Sequence, residues 1–343
     1  MLMLLAILFF NFRFAMIPLR KLFLLLIPAF AIAAQSFGVH AQAAKDAYPS
    51  KSIKLIVTYP PGGGNDIIAR LLAQKMTDSM GQPVLVDNRA GAGGTIGAAA
   101  AAKSPADGYT IVLVSPPFVM APSLYSYLPY DTAKDLVPVT VIGAVPNVLV
   151  VHPSLPVKSV AELIAYARAK PTAVSAATLG SATTQHLAAA MFNSMAKTDV
   201  LLVPYKGSAP GMNDLLAGQV QMMFNAMPST LAHFKGGQLR ALGVTSLKRS
   251  AQAPEIPTVA ETLPGFEVST WYGVLAPTGT PEAIIQQLNR EIVKAAQLPD
   301  VRKKLEDMGV DLQLSSPQVF GELLKAETIK WAEVIRVTGV KAD

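Results

Sequence analysis

The 343-residue chain contains no cysteine. A disulfide framework, a thiolate metal site and a cysteine nucleophile are therefore excluded. Export is not, because a chain of this length can bury enough apolar surface without cross-links. Histidine is scarce too, and His152, His186 and His233 show no metal-ligand spacing. No Gly-x-Ser-x-Gly nucleophile elbow occurs. No glycine loop is followed by Gly-Lys-Ser/Thr, which disfavours nucleoside triphosphate binding. The net charge is only +6, and three of the 29 basic residues (Arg13, Arg20, Lys21) fall in the first 43 positions, where no acid occurs. The remaining charges are mixed along the chain, so no nucleic-acid partner is expected. With 51% apolar residues, the chain as a whole is not disordered.

The apolar content is uneven at the N-terminus. Runs cover residues 1–10 and 22–34. The second is preceded by Arg20-Lys21 and followed by Ala41-Gln42-Ala43, the charged, apolar and small-x-small order of a signal peptide. It falls short of the roughly 20 apolar residues of a membrane span. Residues 1–43 are therefore read as a signal peptide cleaved near Ala43, with translation expected to start at Met16. The alternative is an uncleaved anchor; a lipid anchor needs a cysteine that the chain lacks. The fold is sought in residues 44–343.

Short apolar runs alternate with helical spacing. Strands are expected at 53–58, 84–87 and 110–114, with helices at 66–80 and 95–102 between them. Gly81 is the expected C-cap of the first helix. This alternation indicates a mainly parallel sheet covered by helices. Residues 139–151 then form an almost unbroken apolar stretch. A second set of strands (173–177, 200–203, 220–224, 239–245) and helices (160–169, 183–195, 211–216) follows. Residues 271–276 are again extended, and helices at 281–297 and 317–338 close the chain. The two extended stretches read as paired crossovers. They would join a discontinuous domain (44–145 and 275–343) to a continuous one (146–274), giving an α/β fold of two domains.

Three segments are candidates for chemistry. The first is Pro61-Gly62-Gly63-Gly64-Asn65-Asp66, between a strand and a helix. Glycines let a ligand approach the backbone, and the helix start offers N–H groups and a positive dipole end to an anion. A plain tight turn, N-capped by Asn65 or Asp66, explains the same residues. The second, Gly91-Ala92-Gly93-Gly94-Thr95-Ile96-Gly97, has Ile96 where a dinucleotide fingerprint needs glycine, and no acidic residue follows at the required distance. It reads as a glycine-rich helix start beside a cleft, and no cofactor is expected. The third is Thr178-Leu179-Gly180-Ser181-Ala182-Thr183-Thr184, another anion-ready helix start, or else an ordinary hydroxyl-capped helix. Tyr205 can supply a donor or belong to a solvated turn. Trp271 and Tyr272 either line a cleft or pack the crossover. Asp66 shows no partner in the sequence that would make it a general base.

Several stretches together carry a resemblance. These are Tyr59-Pro60-Pro61-Gly62-Gly63-Gly64-Asn65-Asp66, Gly81-Gln82-Pro83-Val84-Leu85-Val86-Asp87-Asn88-Arg89, Gly91-Ala92-Gly93-Gly94, Asp107-Gly108-Tyr109-Thr110, Leu128-Pro129-Tyr130-Asp131, Val203-Pro204-Tyr205-Lys206-Gly207 and Ile256-Pro257-Thr258-Val259-Ala260-Glu261. In this order the chain resembles the Bug- or TctC-type receptors of tripartite tricarboxylate transporters. The resemblance implies a type II periplasmic binding fold, with two α/β domains, two crossover segments and a ligand cleft between the domains. It also implies a monomeric periplasmic receptor, without cofactor or catalysis, that captures a small carboxylate and delivers it to membrane transporter subunits. A ligand-responsive partner of a sensor kinase is the alternative; an enzyme acting on an organic acid is disfavoured. In such receptors two facing loops pinch a carboxylate, and these map onto residues 62–66 and onto Thr178, Gly180, Ser181, Ala182, Thr183 and Thr184. The chain departs from the pattern at Ala182, usually glycine, and at Asn225, usually acidic. A third departure is Ser115-Pro116-Pro117-Phe118, usually small and polar. Loss of the acid disfavours an amino-bearing ligand. Phe118 and Met120 point to a less polar mono- or dicarboxylate, aromatic acids included.

Overall fold

The computed structural model describes residues 48–180 and 183–341. The expected signal peptide, its cleavage near Ala43, the start at Met16, and the candidate residues Ser181 and Ala182 lie outside the described residues. In the first 50 residues, only Tyr48, Pro49 and Ser50 are described, with a cis peptide between Tyr48 and Pro49. All that follows concerns Lys51–Asp343, which forms a unit of its own.

The first lobe of the sheet follows from the apolar runs. β1 (Ile53–Val57) lies parallel between β2 (Val84–Asn88) and β3 (Thr110–Val114). Helices α1 (Gly64–Met80) and α2 (Thr95–Ala102) make the crossings between them. Gly81 ends α1 at φ +68°, its N–H donating to Thr77 O at 3.1 Å, the left-handed stop expected of a glycine there. Beyond β3 the sheet continues antiparallel into β9 (Ser269–Pro277) and then β4 (Leu136–Val151).

β4 and β9 are the two apolar stretches expected to cross over, each beginning earlier than the sequence indicated. They pair from Leu136↔Pro277 to Pro146↔Ser269. From Asn147 onward β4 pairs instead with β7 (Met222–Ala226) and β8 (Arg240–Val244). Parallel to β7 run β5 (Ser175–Thr178) and β6 (Leu201–Pro204). The strand order is β2-β1-β3-β9-β4-β7-β5-β6, with β8 and the short β10 (Asp311–Leu312) on β4. Covering helices are α4 (Val160–Ala169), α5 (Thr184–Ala196) and α6 (Ser208–Leu216). Three further helices, α3 (Pro117–Leu124), α7 (Met227–Lys235) and α9 (Pro299–Asp307), fall in stretches to which the sequence assigned no element. In each the proline occupies the first turn, where its fixed φ suits a helix and its missing N–H costs nothing. α8 (Glu282–Gln297) and α10 (Pro317–Thr338) complete the chain.

Strand alternation gives the crossover pair two distinct faces. Ala144, Pro146, Ser269 and Trp271 lie on one face and line a cavity of about 450 Å³. On this face Trp271 Nε1 and Trp331 Nε1 both donate to the buried Glu327 Oε2, at 3.0 and 2.8 Å. Lys330 pairs with the other oxygen of Glu327. Thr270 and Tyr272 lie on the opposite face, where both candidate loops sit.

Candidate functional site

The first candidate loop is built around a buried acid. Gly62 adopts φ +86°, which favours glycine, and turns the chain into α1. The N-cap is Gly63, not Asn65 or Asp66 as the sequence suggested, and no side chain caps it. Asp66 is the third residue of the helix, three past the N-cap. Its carboxylate reaches back instead, accepting the Gly62 N–H at 2.9 Å. Arg70 Nε donates to the same oxygen at 3.0 Å, and Asn88 Nδ2 to the other at 2.9 Å. Arg70 Nη2 also donates to Asn88 Oδ1 at 3.0 Å. The Arg70 hydrogen bond, helped by those from Gly62 and Asn88, lowers the Asp66 pKa to about 2 despite burial. Asp66 is therefore a fixed anion that shapes the loop. The partners absent from the sequence reading were available at i+4, where Arg70 stands on the same helix face. The first N–H groups of α1 have no acceptor within the helix.

Gly64 also has a structural reason. A Cβ there would stand 3.1 Å from Tyr272 Oη. The loop thus lies against the crossover strand, and burial pushes the Tyr272 phenol up to about 12. Tyr59 is likewise raised by burial and bonds Ser115. Ser115 is buried at the end of β3. A small cavity of about 10 Å³, room for about one water, lies among Tyr59, Gly94, Ser115 and Phe118. Phe118 is buried and stacks on Tyr130 with ring centroids 6.1 Å apart, and Met120 is wholly buried. Gly91, Ala92 and Gly93 are exposed, while Gly94 and, further on, Gly97 are buried: a Cβ there would meet Thr58 at 3.2 and 2.9 Å. This glycine run serves close packing beside the first loop.

The second loop starts from Thr178, buried at the end of β5, whose O accepts the Tyr205 N–H at 2.8 Å. Thr183 N-caps α5: its Oγ1 accepts the His186 N–H at 3.2 Å, and its own N–H donates to Gly180 O at 3.0 Å. Thr184 Oγ1 shares a hydrogen bond with Thr270 Oγ1 at 2.9 Å. The Tyr205 hydroxyl donates to Asp214 Oδ2 at 2.7 Å, and burial together with that bond raises its pKa. Asn225 is buried, and its Nδ2 donates to Ser208 Oγ at 2.8 Å at the start of α6.

Two candidate helix starts thus touch one strand on one face. Tyr272 meets Gly64 and Thr270 meets Thr184. These contact points are two residues apart, a rise of about 7 Å along the strand. No group of three or more His, Asp or Glu residues that could hold a metal ion occurs among the described residues. His152 Nδ1 bonds Ser154 Oγ at 2.7 Å and His233 Nδ1 bonds Gln238 Oε1 at 2.9 Å. No described helix is long and apolar enough to cross a membrane.

Comparison with known proteins shows the family and the fold. Residues 68–340 match the tripartite tricarboxylate transporter family receptor, TctC. Protein BugT of Bordetella pertussis is 42% identical over 307 residues, covering 89% of this chain and 94% of that one. The structure of R. palustris Rpa4515 with adipate superposes at a TM-score of 0.71 and 36% identity, over 87% of this chain and 100% of that one. MatC from Rhodopseudomonas palustris with bound malate gives 0.67 and 30%, over 84% and 100%.

Proposed function

The chain belongs to the tripartite tricarboxylate transporter receptor family, and from that premise we propose that it is an exported periplasmic receptor which closes two domains on a small carboxylate for delivery to membrane transporter subunits. The observation that carries this reading is the placement of two helix starts, Gly64 and Thr184, against one face of β9. Each offers backbone N–H groups and a positive dipole end. A carboxylate between them receives charge-assisted bonds from both sides, each contributing about 1.5–3 kcal/mol. The ligand stabilises the closed state through the bonds it makes only there.

The reading is of capture without turnover. Asp66 is the acid nearest the proposed clamp. With a pKa of about 2 it is too weak a base to take a proton near neutral pH. Adipate and malate, bound by two similar proteins, are dicarboxylates, and we extend the ligand class to monocarboxylic and aromatic acids because Phe118 lines the small cavity with Tyr59 and Ser115. The test is a thermal-shift panel of carboxylic acids on residues 44–343. A matching acid at about 100 times its Kd adds about 2.7 kcal/mol of stability. If no acid in the panel raises the melting temperature, the carboxylate reading fails.

A further inference from the structure

The cleft face of β4 carries one buried polar side chain with an unused donor. Asn147 is 1% exposed, and its Nδ2 has no hydrogen-bond acceptor among the described residues. Its direction follows from strand alternation. Val145 stands opposite Thr270 in the β4–β9 register, so the two share a face, and Thr270 is the residue bonded to Thr184. Asn147 is two residues further along that same face. The next residue on it, Leu149, belongs to the core cluster that holds Leu187 and Phe192 of α5. Leu149 also stands opposite Phe224 in the β4–β7 register, and Phe224 packs on Phe192 of α5 with ring centroids 6.0 Å apart, so Asn147 lies between a residue opposite Thr270 and one on the face that α5 covers. That places its amide beneath the first turn of α5.

The backbone around it is pinned. The Asn147 N–H donates to Thr245 Oγ1 at 2.8 Å, and Asn147 O accepts the Thr245 N–H at 2.9 Å. Thr245 is itself wholly buried and donates to Val268 O. These bonds fix the main chain at Asn147, and with it the face of the strand from which the side chain projects. Asn225 differs: it pairs with Val148 in the β4–β7 register, so it faces the other side of the sheet, and its amide already bonds Ser208.

We propose that Asn147 is a ligand-recognition residue of the second loop, its side-chain amide donating to an acceptor oxygen of the bound acid alongside the backbone N–H groups that open α5. The proposal rests on the carboxylate reading above and sharpens it. A donor at this point selects a carboxylate, carbonyl or hydroxyl oxygen, and offers nothing to an ammonium group.

The test compares wild type with Asn147→Leu, which keeps the branched shape and removes the donor, by calorimetric titration with adipate, malate and benzoate. For whichever acid binds wild type, the Kd of Asn147→Leu rises roughly ten- to a hundredfold, as expected for loss of a hydrogen bond to a charged group. The ligand-free variant melts no lower than wild type, because a buried unmet donor has been removed. An unchanged Kd overturns the proposal and leaves the carboxylate reading standing; no binding of any carboxylate by wild type removes both. A second measurement needs no variant fold: the Asn147 side-chain amide resonances of the ¹⁵N-labelled wild type shift on saturation with the acid. Resonances that stay in place overturn the assignment.

Discussion

Whether the first loop really rests on the crossover strand can be decided with a double-mutant cycle at Gly64 and Tyr272. Gly64 is the first residue of α1, and a Cβ there would lie 3.1 Å from Tyr272 Oη but 3.8 Å from Tyr272 Cζ. The first distance is tight and the second is ordinary contact. Replacing glycine by alanine in a helix yields up to about 1 kcal/mol. In the wild-type background that gain is opposed by the shift forced on a ring that is only 9% exposed, and overpacking of this kind costs about 1–3 kcal/mol. Gly64→Ala alone is therefore neutral to destabilising by about 2 kcal/mol. In the Tyr272→Phe background the crowding atom is gone, and the same substitution stabilises by up to about 1 kcal/mol. The coupling energy expected from urea unfolding of the four proteins is about 1–3 kcal/mol, well above the roughly 0.3–0.5 kcal/mol scatter of independent sites. Additive effects would mean that Tyr272 does not back the loop, and the shared face of β9 would lose its first contact.

Three other perturbations test separate parts of the structure. The Asp66 carboxylate has its pKa lowered from 3.8 to about 2, so its stabilisation is complete above pH about 4 and is lost as pH falls toward 2; a shift of that size corresponds to about 2 kcal/mol. The stability gap between wild type and Asp66→Asn, followed by denaturant unfolding, should shrink over that window, and a gap that does not change with pH would contradict the assignment. Glu327→Leu leaves two indole N–H groups without their acceptor and Lys330 with only the more distant Glu267, a loss of about 3 kcal/mol or more. An unchanged unfolding midpoint would show that the clasp is not formed in solution. At Gly273 a Cβ would stand 2.1 Å from Phe320 Cζ. Gly273→Ala should lower the melting temperature markedly and Phe320→Leu in the same chain should restore part of it; equal melting of both variants would refute the contact.

The order of elements was legible because buried strands and amphipathic helices carry different periods, and the unit from Ile53 to Val114 shows both cleanly. The two loops were legible as anion-ready helix starts, since glycine at 62–64 and hydroxyls at 178–184 each have a physical reason to precede a helix. What escaped the reading was set by distance in sequence. Asp66 was weighed as a cap, but its true role depends on Asn88, which only the β1–β2 pairing brings within reach. Helices α3, α7 and α9 were masked by their prolines, which punctuate a loop and open a helix with equal ease. Asn147 could not be singled out at all. It lies inside an unbroken apolar stretch, and its facing is decided by the register with β9, more than a hundred residues away.

That register also separates two tasks that share the same strands. On one face of β9, Trp271 is tied to Glu327, and Phe320 fills the space that Gly273 leaves open. α10, which carries both Phe320 and Glu327, is therefore fixed to the crossover, and substitutions there act first on stability. On the other face, Tyr272 and Thr270 meet the two helix starts, and Asn147 of β4 shares that face by strand alternation. The β4–β9 pairing ends at Pro146↔Ser269, and Asn147 is the first residue of β4 to pair with β7 instead. The residue proposed to read the ligand is thus also the one at which the strand passes from one set of partners to the other. Under the proposed capture, a donor at that position couples a ligand oxygen to the point where the strand changes partners.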